Sequence, residues 1–397
     1  MNRFIQPYAN FLRLPDVGAI VAAAWLARLP TGMMGLSMLL FLRDQLGSFT
    51  LAGTAVGAYF IAMAVSAPVQ GRIIDRNGPH LLLRVTGIAQ PLMLLLLFMT
   101  ATLKAPFALV VGAAALAGAF PAPFTTLART VWRHRFTDDV ARRMAFAVDA
   151  VTMELCFTVG PLIVALVIAI SNPKGAFLTT ILMLFVAYWV FVKSPMLKYW
   201  QQSPATERHL LGPLTDPQLV LLFIITFGLT TAFGLMEVGY PALATSLSIP
   251  ALAGVLLAVN SVGSAVGGAV YGVLHPKLSL ERQFSILLGM MVLPLLLHAW
   301  VNHLVLLSIV AFIAGATIAP SIAAQSVLIS RMAPQKYATE AFTWSSTFIV
   351  SGIGAGMAAG GALAETYTAR MPFIIAALVM AAMAGLALLL KVKRVAE

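Results

Sequence analysis

The chain has 397 residues, of which 60% are hydrophobic and 10% charged, with a mean hydropathy of +0.93. So few charges cannot cover a solvated globular surface, which excludes a soluble domain and leaves an integral membrane protein. The formal charge of +11 would suit nucleic acid, but the basic residues sit in short loops between apolar runs of membrane-spanning length. Membrane lipids with anionic headgroups are therefore the expected counter-charge, and no nucleic-acid partner is expected.

Residues 1–16 carry Arg3 and Arg13 but no small-residue cleavage site, so the first apolar run is expected to be retained and not removed as a signal. Apolar runs bounded by charged and Pro/Gly breaks predict twelve spans: 17–42, 50–71, 80–102, 106–129, 143–170 and 175–193, then 217–245, 249–274, 282–301, 303–330, 338–363 and 370–391. The polar stretch 194–216, with Lys198, Gln201, Gln202, Glu207, Arg208 and His209, reads as a linker between two halves, 1–193 and 217–397. Arg43, Lys104, Lys174 and Arg370 fall on one side of the membrane and Arg28 within a span. All other Lys and Arg share the side of the two termini, which the excess places in the cytoplasm.

Between spans 2 and 3 lies a charged turn, Gly71-Arg72-Ile73-Ile74-Asp75-Arg76-Asn77-Gly78-Pro79-His80-Leu81-Leu82-Leu83-Arg84. Gly71 is expected to let helices approach closely, Asp75 to accept from an Arg or cap the next helix, and Gly78 to take a positive φ. Arg76 and Arg84 are expected to hold the inner membrane surface. The halves also repeat: Leu51-Ala52-Gly53 and Gly71 return as Leu252-Ala253-Gly254 and Gly272 at an offset of 201, and Ala117-Gly118 and Ala122-Pro123 as Ala314-Gly315 and Ala319-Pro320 at 197. Ala145-Phe146 and Gly160 return as Ala341-Phe342 and Gly356 at 196.

The pattern G-x-x-x-D-R-x-G-x-x-x-x-x-R resembles the signature loop between helices 2 and 3 of major facilitator superfamily transporters, and the resemblance covers essentially the whole chain. In the second half it is eroded to Gly272-Val273-Leu274-His275-Pro276-Lys277. The resemblance is closest to bacterial drug and metabolite efflux permeases. It implies an all-α integral membrane fold of twelve helices in two pseudo-symmetric six-helix bundles, with a substrate path between them and the signature loop as inner gate.

Ionisable residues at membrane depth carry the most weight, because each costs at least about 2.5–3.5 kcal/mol on insertion scales. Glu237 in span 7 aligns with Gly35 of span 1 at the offset of 202 that pairs Gly32 with Gly234, and is the first candidate for a proton or substrate site. Asp149 and Glu154 in span 5 lie about 140° apart around the helix. Asp149, the shallower, is expected to pair with Arg129 or a signature-loop Arg. Glu154 is near mid-membrane, with a coupling role, a structural role and a buried pair with Arg28 of span 1 all open, and the candidates for proton coupling are Glu237, Glu154, Arg28 and Asp149. Glu340 near the inner edge reads as a gate or cap.

Gly160-Pro161 in span 5 resembles part of a motif of drug/proton antiporters that bends helix 5 against helix 8. Cys156 stands for its earlier Gly, Val164-Ala165 for its trailing glycines, and Ala114 for the helix-4 Arg of such exporters. Candidates for the substrate cavity are Asn260, Gln325, Trp344, Tyr240 and Phe233, with Gln90 and Ser264 as further polar positions. Packing is the alternative for each aromatic and an interhelical hydrogen bond for Asn260. His298 and His303 are expected at the exposed outer edge, with no companions for a metal. Neither a phosphate-binding G-x-x-x-x-G-K-[ST] nor H-E-x-x-H nor G-x-S-x-G occurs, which argues against ATP-driven transport and an intramembrane enzyme.

The expectation is a monomeric secondary transporter with no cofactor and no metal, moving a small organic molecule by alternating access, with protons as coupling ion and export as direction. A sugar or other polar-metabolite carrier, or an uncoupled facilitator, is the alternative. The short loops point to a bacterial inner membrane.

Overall fold

The computed structural model describes residues 10–136, 138–199, 212–273, 278–334 and 338–391, with positions 75, 133, 134, 139, 140, 143, 338 and 339 described by backbone alone. In the first half the helices are α1 (Val17–Leu46), α2 (Phe49–Asn77), α3 (Pro79–Thr102), α4 (Phe107–Ala119), α5 (Phe124–Arg135), α6 (Asp139–Ile170) and α7 (Pro173–Lys193). The second half has α8 (Pro217–Ser246), α9 (Leu252–Val273), α10 (Leu280–Leu297), α11 (Leu304–Gly315), α12 (Ile318–Met332), α13 (Ala338–Thr366) and α14 (Met371–Ala387). Among the described residues, eleven helical segments are long and apolar enough to cross a membrane, and α14, at 17 residues, is a twelfth and shorter one.

Local sequence explains four of the helix starts. Ser48 accepts from the Leu51 amide, Asp138 from Ala141, Asn172 from Gly175, and Asp216 from Gln218 and Leu219. Pro173 and Pro217 follow two of these caps at the first helical position, where a missing N–H costs nothing. Gly78, between α2 and α3, has φ 77°, the positive value expected of it.

Spans 4 and 10 are each broken in two. Residues 120–123 interrupt the first, where Pro121 and Pro123 remove two amides and force their predecessors out of the helical region. Ala316 and Thr317 interrupt the second, where Pro320 has no N–H to return to Ala316. The first break is held by Gln90 of α3, which is buried, accepts from the Ala122 amide at 3.3 Å and donates to the Tyr59 hydroxyl at 3.0 Å. Gln90 is thus a support for a broken helix and not a free cavity residue.

Small residues set the packing, as expected where helices associate without a hydrophobic driving force. The Cβ position of Gly32 (α1) is filled by the Cys156 carbonyl of α6, and that of Gly160 (α6) by the backbone of Gly32 and Met33. The repeat of this contact in the second half joins Gly234 (α8) to Gly356 (α13). Likewise Gly118 lies on the Tyr59 carbonyl and Gly315 on that of Asn260, so the internal repeat of the sequence is a repeat of contacts. The halves meet where Gly53 and Gly57 of α2 face Gly354, Met357 and Gly361 of α13, and where Gly254 of α9 faces the Pro161 carbonyl of α6. Gly71 contradicts its expectation: among the described residues, its own stretch of helix backbone aside, no atom lies within 4 Å of where its Cβ would be, because it sits on an open helix face.

Candidate functional site

Helices α1 and α8 approach each other at equivalent positions of the two halves. The Glu237 Oε2 atom of α8 lies 3.3 Å from the ideal Cβ position of Gly35 in α1, and the methyl of Met357 from α13 lies 3.8 Å from the same point. The carboxylate thus occupies the space that a side chain at residue 35 would fill. Glu237 is partly buried, and among the described residues no hydrogen bond or ion pair is made to it. An acid without a charge partner at this depth is costly, which marks it as a functional candidate.

The second ionisable cluster lies between α1, α5 and α6. Arg28 Nη1 is 2.7 Å from Asp149 Oδ1, with the two side chains 1% and 2% exposed. The Arg129 Nε donates to Asp149 Oδ2 at 3.3 Å and the Trp132 Nε1 to Oδ1 at 3.3 Å. The pair of Arg28 with Glu154 that the sequence left open is therefore not formed. Helices α1 and α6 run parallel, with Gly32 level with Cys156 and Gly160, and a helical side chain leans back towards the N-terminus of its own helix. That lean carries the guanidinium of Arg28 past Glu154 to Asp149, on a different face of α6. Glu154 stays partly buried, its carboxylate unpaired among the described residues. Arg28 Nε and Nη2 and the Trp25 indole N–H are buried donors with no acceptor among them.

The proposed cavity residues are mostly occupied by the protein itself. Tyr240 is fully buried, with its hydroxyl 3.3 Å from His298 Nε2 and its ring edge-on to Phe373, so it does not face a cavity. His298 is also fully buried, against the expectation of an exposed edge residue: its ring stacks on Phe373 at 4.5 Å and its Nδ1 donates to the Pro294 carbonyl at 2.8 Å. With Nδ1 committed as donor to a carbonyl, Nε2 accepts from the tyrosine. His303 is exposed. The Asn260 amide donates to the Ala311 carbonyl at 2.9 Å, and that of Gln325 to Ser345 at 2.7 Å and Thr226 at 3.2 Å. Phe233 and Trp344 are partly buried and pack on the main apolar cluster.

In the charged turn Arg76 and Arg84 are exposed, and the expected role of Asp75, whose side chain falls outside the described residues, is not addressed by the structure. At the opposite end Glu365, the last acid of α13, accepts from the Ser48 hydroxyl at 2.5 Å and the Thr50 amide at 2.7 Å at the start of α2. Ser48 is legible as a cap from sequence, but its partner 317 residues away is not. Trp132 and Trp25 were likewise unmarked, since a tryptophan in an apolar run carries no sign of what its N–H meets.

A family model described as Major Facilitator Superfamily matches residues 20–304 and 219–397, essentially all of the described chain. The chain belongs to the major facilitator superfamily. Its curated relatives include the Multidrug resistance protein MdtG of Yersinia enterocolitica, 23% identical over 338 residues that cover 83% of this chain and 80% of the relative. The protein of the same name from Serratia proteamaculans is also 23% identical, over 83% and 81% of the two chains. Among solved structures, the nucleoside transporter NupG superposes with a TM-score of 0.75 at 14% identity, covering 95% of this chain and 99% of that one. The human organic anion transporter MFSD10 (TETRAN) gives 0.66 at 15%, covering 94% and 100%. At such identities the likeness shows the fold alone. This major facilitator is an integral membrane transporter, not an enzyme, built as the twelve-helix, pseudo-symmetric assembly of its family.

Proposed function

We propose that this chain exports small amphipathic organic compounds in exchange for protons, with Glu237 as the proton-carrying group. The observation that carries the reading is the unpaired Glu237 carboxylate, held against Gly35 where α1 and α8 face each other. An acid with no cation beside it can take up a proton at modest cost when the surroundings are apolar and release it when water reaches it, which is the behaviour a coupling site needs. Asp149 is a poorer choice, since two arginines and an indole hold its charge. Arg28 is the counter-ion of Asp149, and Glu154 is the second candidate. The low polarity of the interior and the multidrug name of the relatives support an amphipathic cargo. Asn260 and Gln325 have their amide donors bound inside the bundle, which removes support from a sugar or polar-metabolite carrier.

In this reading the halves are 1–193 and 217–397, joined by 194–216, and a monomer rocks about the central contacts, with the turn from Gly71 to Arg84 as inner gate. Phe233 and Trp344 are the aromatic faces offered to cargo. The basic loops and both termini lie in the cytoplasm of a bacterial inner membrane.

The test is proton flux in proteoliposomes holding an internal pH dye, challenged with lipophilic cations, neutral drugs and sugars. A substrate-triggered pH change present in wild type and absent in Glu237→Gln, with substrate binding retained, is expected. Full gradient-driven transport in Glu237→Gln and Glu154→Gln alike refutes the assignment.

A further inference from the structure

A groove outside the central site runs along α2 and α3 and ends at the break between α4 and α5. It is an open groove with room for about 550 Å³, walled by Val65, Val69 and Ile73 of α2, Leu81 and Val85 of α3, and Phe120. Val65, Val69, Leu81 and Val85 are 67%, 54%, 57% and 45% exposed. Its few polar groups are turned inward: Ser66 donates to the Met63 carbonyl, Thr86 to Leu82, and Gln70 to Ala119. The wall therefore asks for an apolar occupant.

Its dimensions are those of one lipid chain. From Ala62 to Ile73 the groove follows α2 for about 16 Å at 1.5 Å per residue, close to half of the roughly 30 Å hydrocarbon core, that is, one leaflet. The volume equals about eighteen water volumes of about 30 Å³, the bulk of a single acyl chain.

Charge decides which lipid. Residues 62, 69 and 76 succeed one another at intervals of seven, so each turns only about 20° from the last and Arg76 continues the stripe of Val69 beyond the groove. Arg72, His80 and Arg84 are exposed around the same end, and segment 71–84 holds three Arg against one Asp.

We propose that this groove binds one anionic glycerophospholipid, an acyl chain lying between α2 and α3 and the phosphate among Arg72, Arg76 and Arg84. The bound lipid ties the charged turn to the membrane surface, so the anionic lipid content of the leaflet bears on the mobility of that turn. The site is separate from Glu237, and its failure leaves the coupling assignment untouched.

The test is native mass spectrometry of the full chain equilibrated with equimolar phosphatidylglycerol and phosphatidylcholine of identical acyl chains. Each arginine beside a headgroup is worth about five-fold in affinity, so wild type should retain phosphatidylglycerol in clear excess, and Arg72→Gln and Arg84→Gln should each lower the ratio about five-fold. Val69→Trp and Ser66→Phe, which fill the groove, should lose the lipid; Val69 is exposed enough for the larger ring to be tolerated. A wild-type ratio near one, ratios unmoved by both arginine changes, or full retention in either groove-filled variant overturns the proposal. Displacement of the retained lipid by tetraphenylphosphonium also overturns it, by making the groove an entry for cargo.

Discussion

Asp149→Asn should be among the most destabilising single changes in the first half. Asp149 meets Arg28 at 2.7 Å with both side chains almost wholly buried, and removing one partner of such a pair leaves a buried charge at a cost of about 3–5 kcal/mol. The other contacts matter less. Arg129 is 56% exposed, and a pair with so exposed a partner is worth at most about 1 kcal/mol. Asparagine still offers an oxygen to the Trp132 indole. The loss thus comes from Arg28, and removing both charges in Arg28→Met/Asp149→Leu should recover more than half of it. Equilibrium unfolding in SDS, followed by tryptophan fluorescence, measures both variants. An Asp149→Asn variant within about 1 kcal/mol of wild type, or a double variant no better than the worse single one, refutes the reasoning.

Gly32→Val should abolish monodisperse protein in size-exclusion chromatography, since its Cβ would enter the Cys156 carbonyl. Gly71→Ala, in open space on a helix, should be neutral or raise stability by up to about 1 kcal/mol in the same unfolding assay. Glu365→Ala removes two contacts that join the halves at the start of α2. At about 1 kcal/mol for the two exposed bonds together, labelling of a cysteine placed at Ala358, in a Cys156→Ala background, should quicken about five-fold. Tyr240→Phe should cost about 1 kcal/mol, and combining it with His298→Phe should cost less than the two single losses together, as thermal unfolding would show, because the buried hydroxyl and imidazole need each other.

The spans and the charged turn were legible because lipid solvent forces long apolar runs and leaves charge only at their ends. The equivalence of Glu237 and Gly35 in the repeat was legible too, through the offset shared with Gly32 and Gly234, but not that the two positions face each other. Hydropathy did not reveal the breaks in spans 4 and 10, since residues on either side of a broken backbone are as apolar as those of a continuous helix. The partner of Arg28 depended on the lean of a side chain and the register of two parallel helices, neither of which sequence spacing fixes. His298 looked exposed because it ends a helix. It is buried because Tyr240, 58 residues earlier, and Phe373 close over it.

The meeting of Gly35 with Glu237 has an evolutionary side. In a dimer of identical six-helix chains the two positions would be one residue seen twice across a two-fold axis. Two carboxylates crowded there would resist ionising together, while two glycines would leave a hole and no acid. Joining the copies into one chain lets them diverge, so that one half supplies the acid and the other the room for it. A seat made this way holds a single carboxylate, so the divergence of the two halves relieves the crowding that identical copies would suffer.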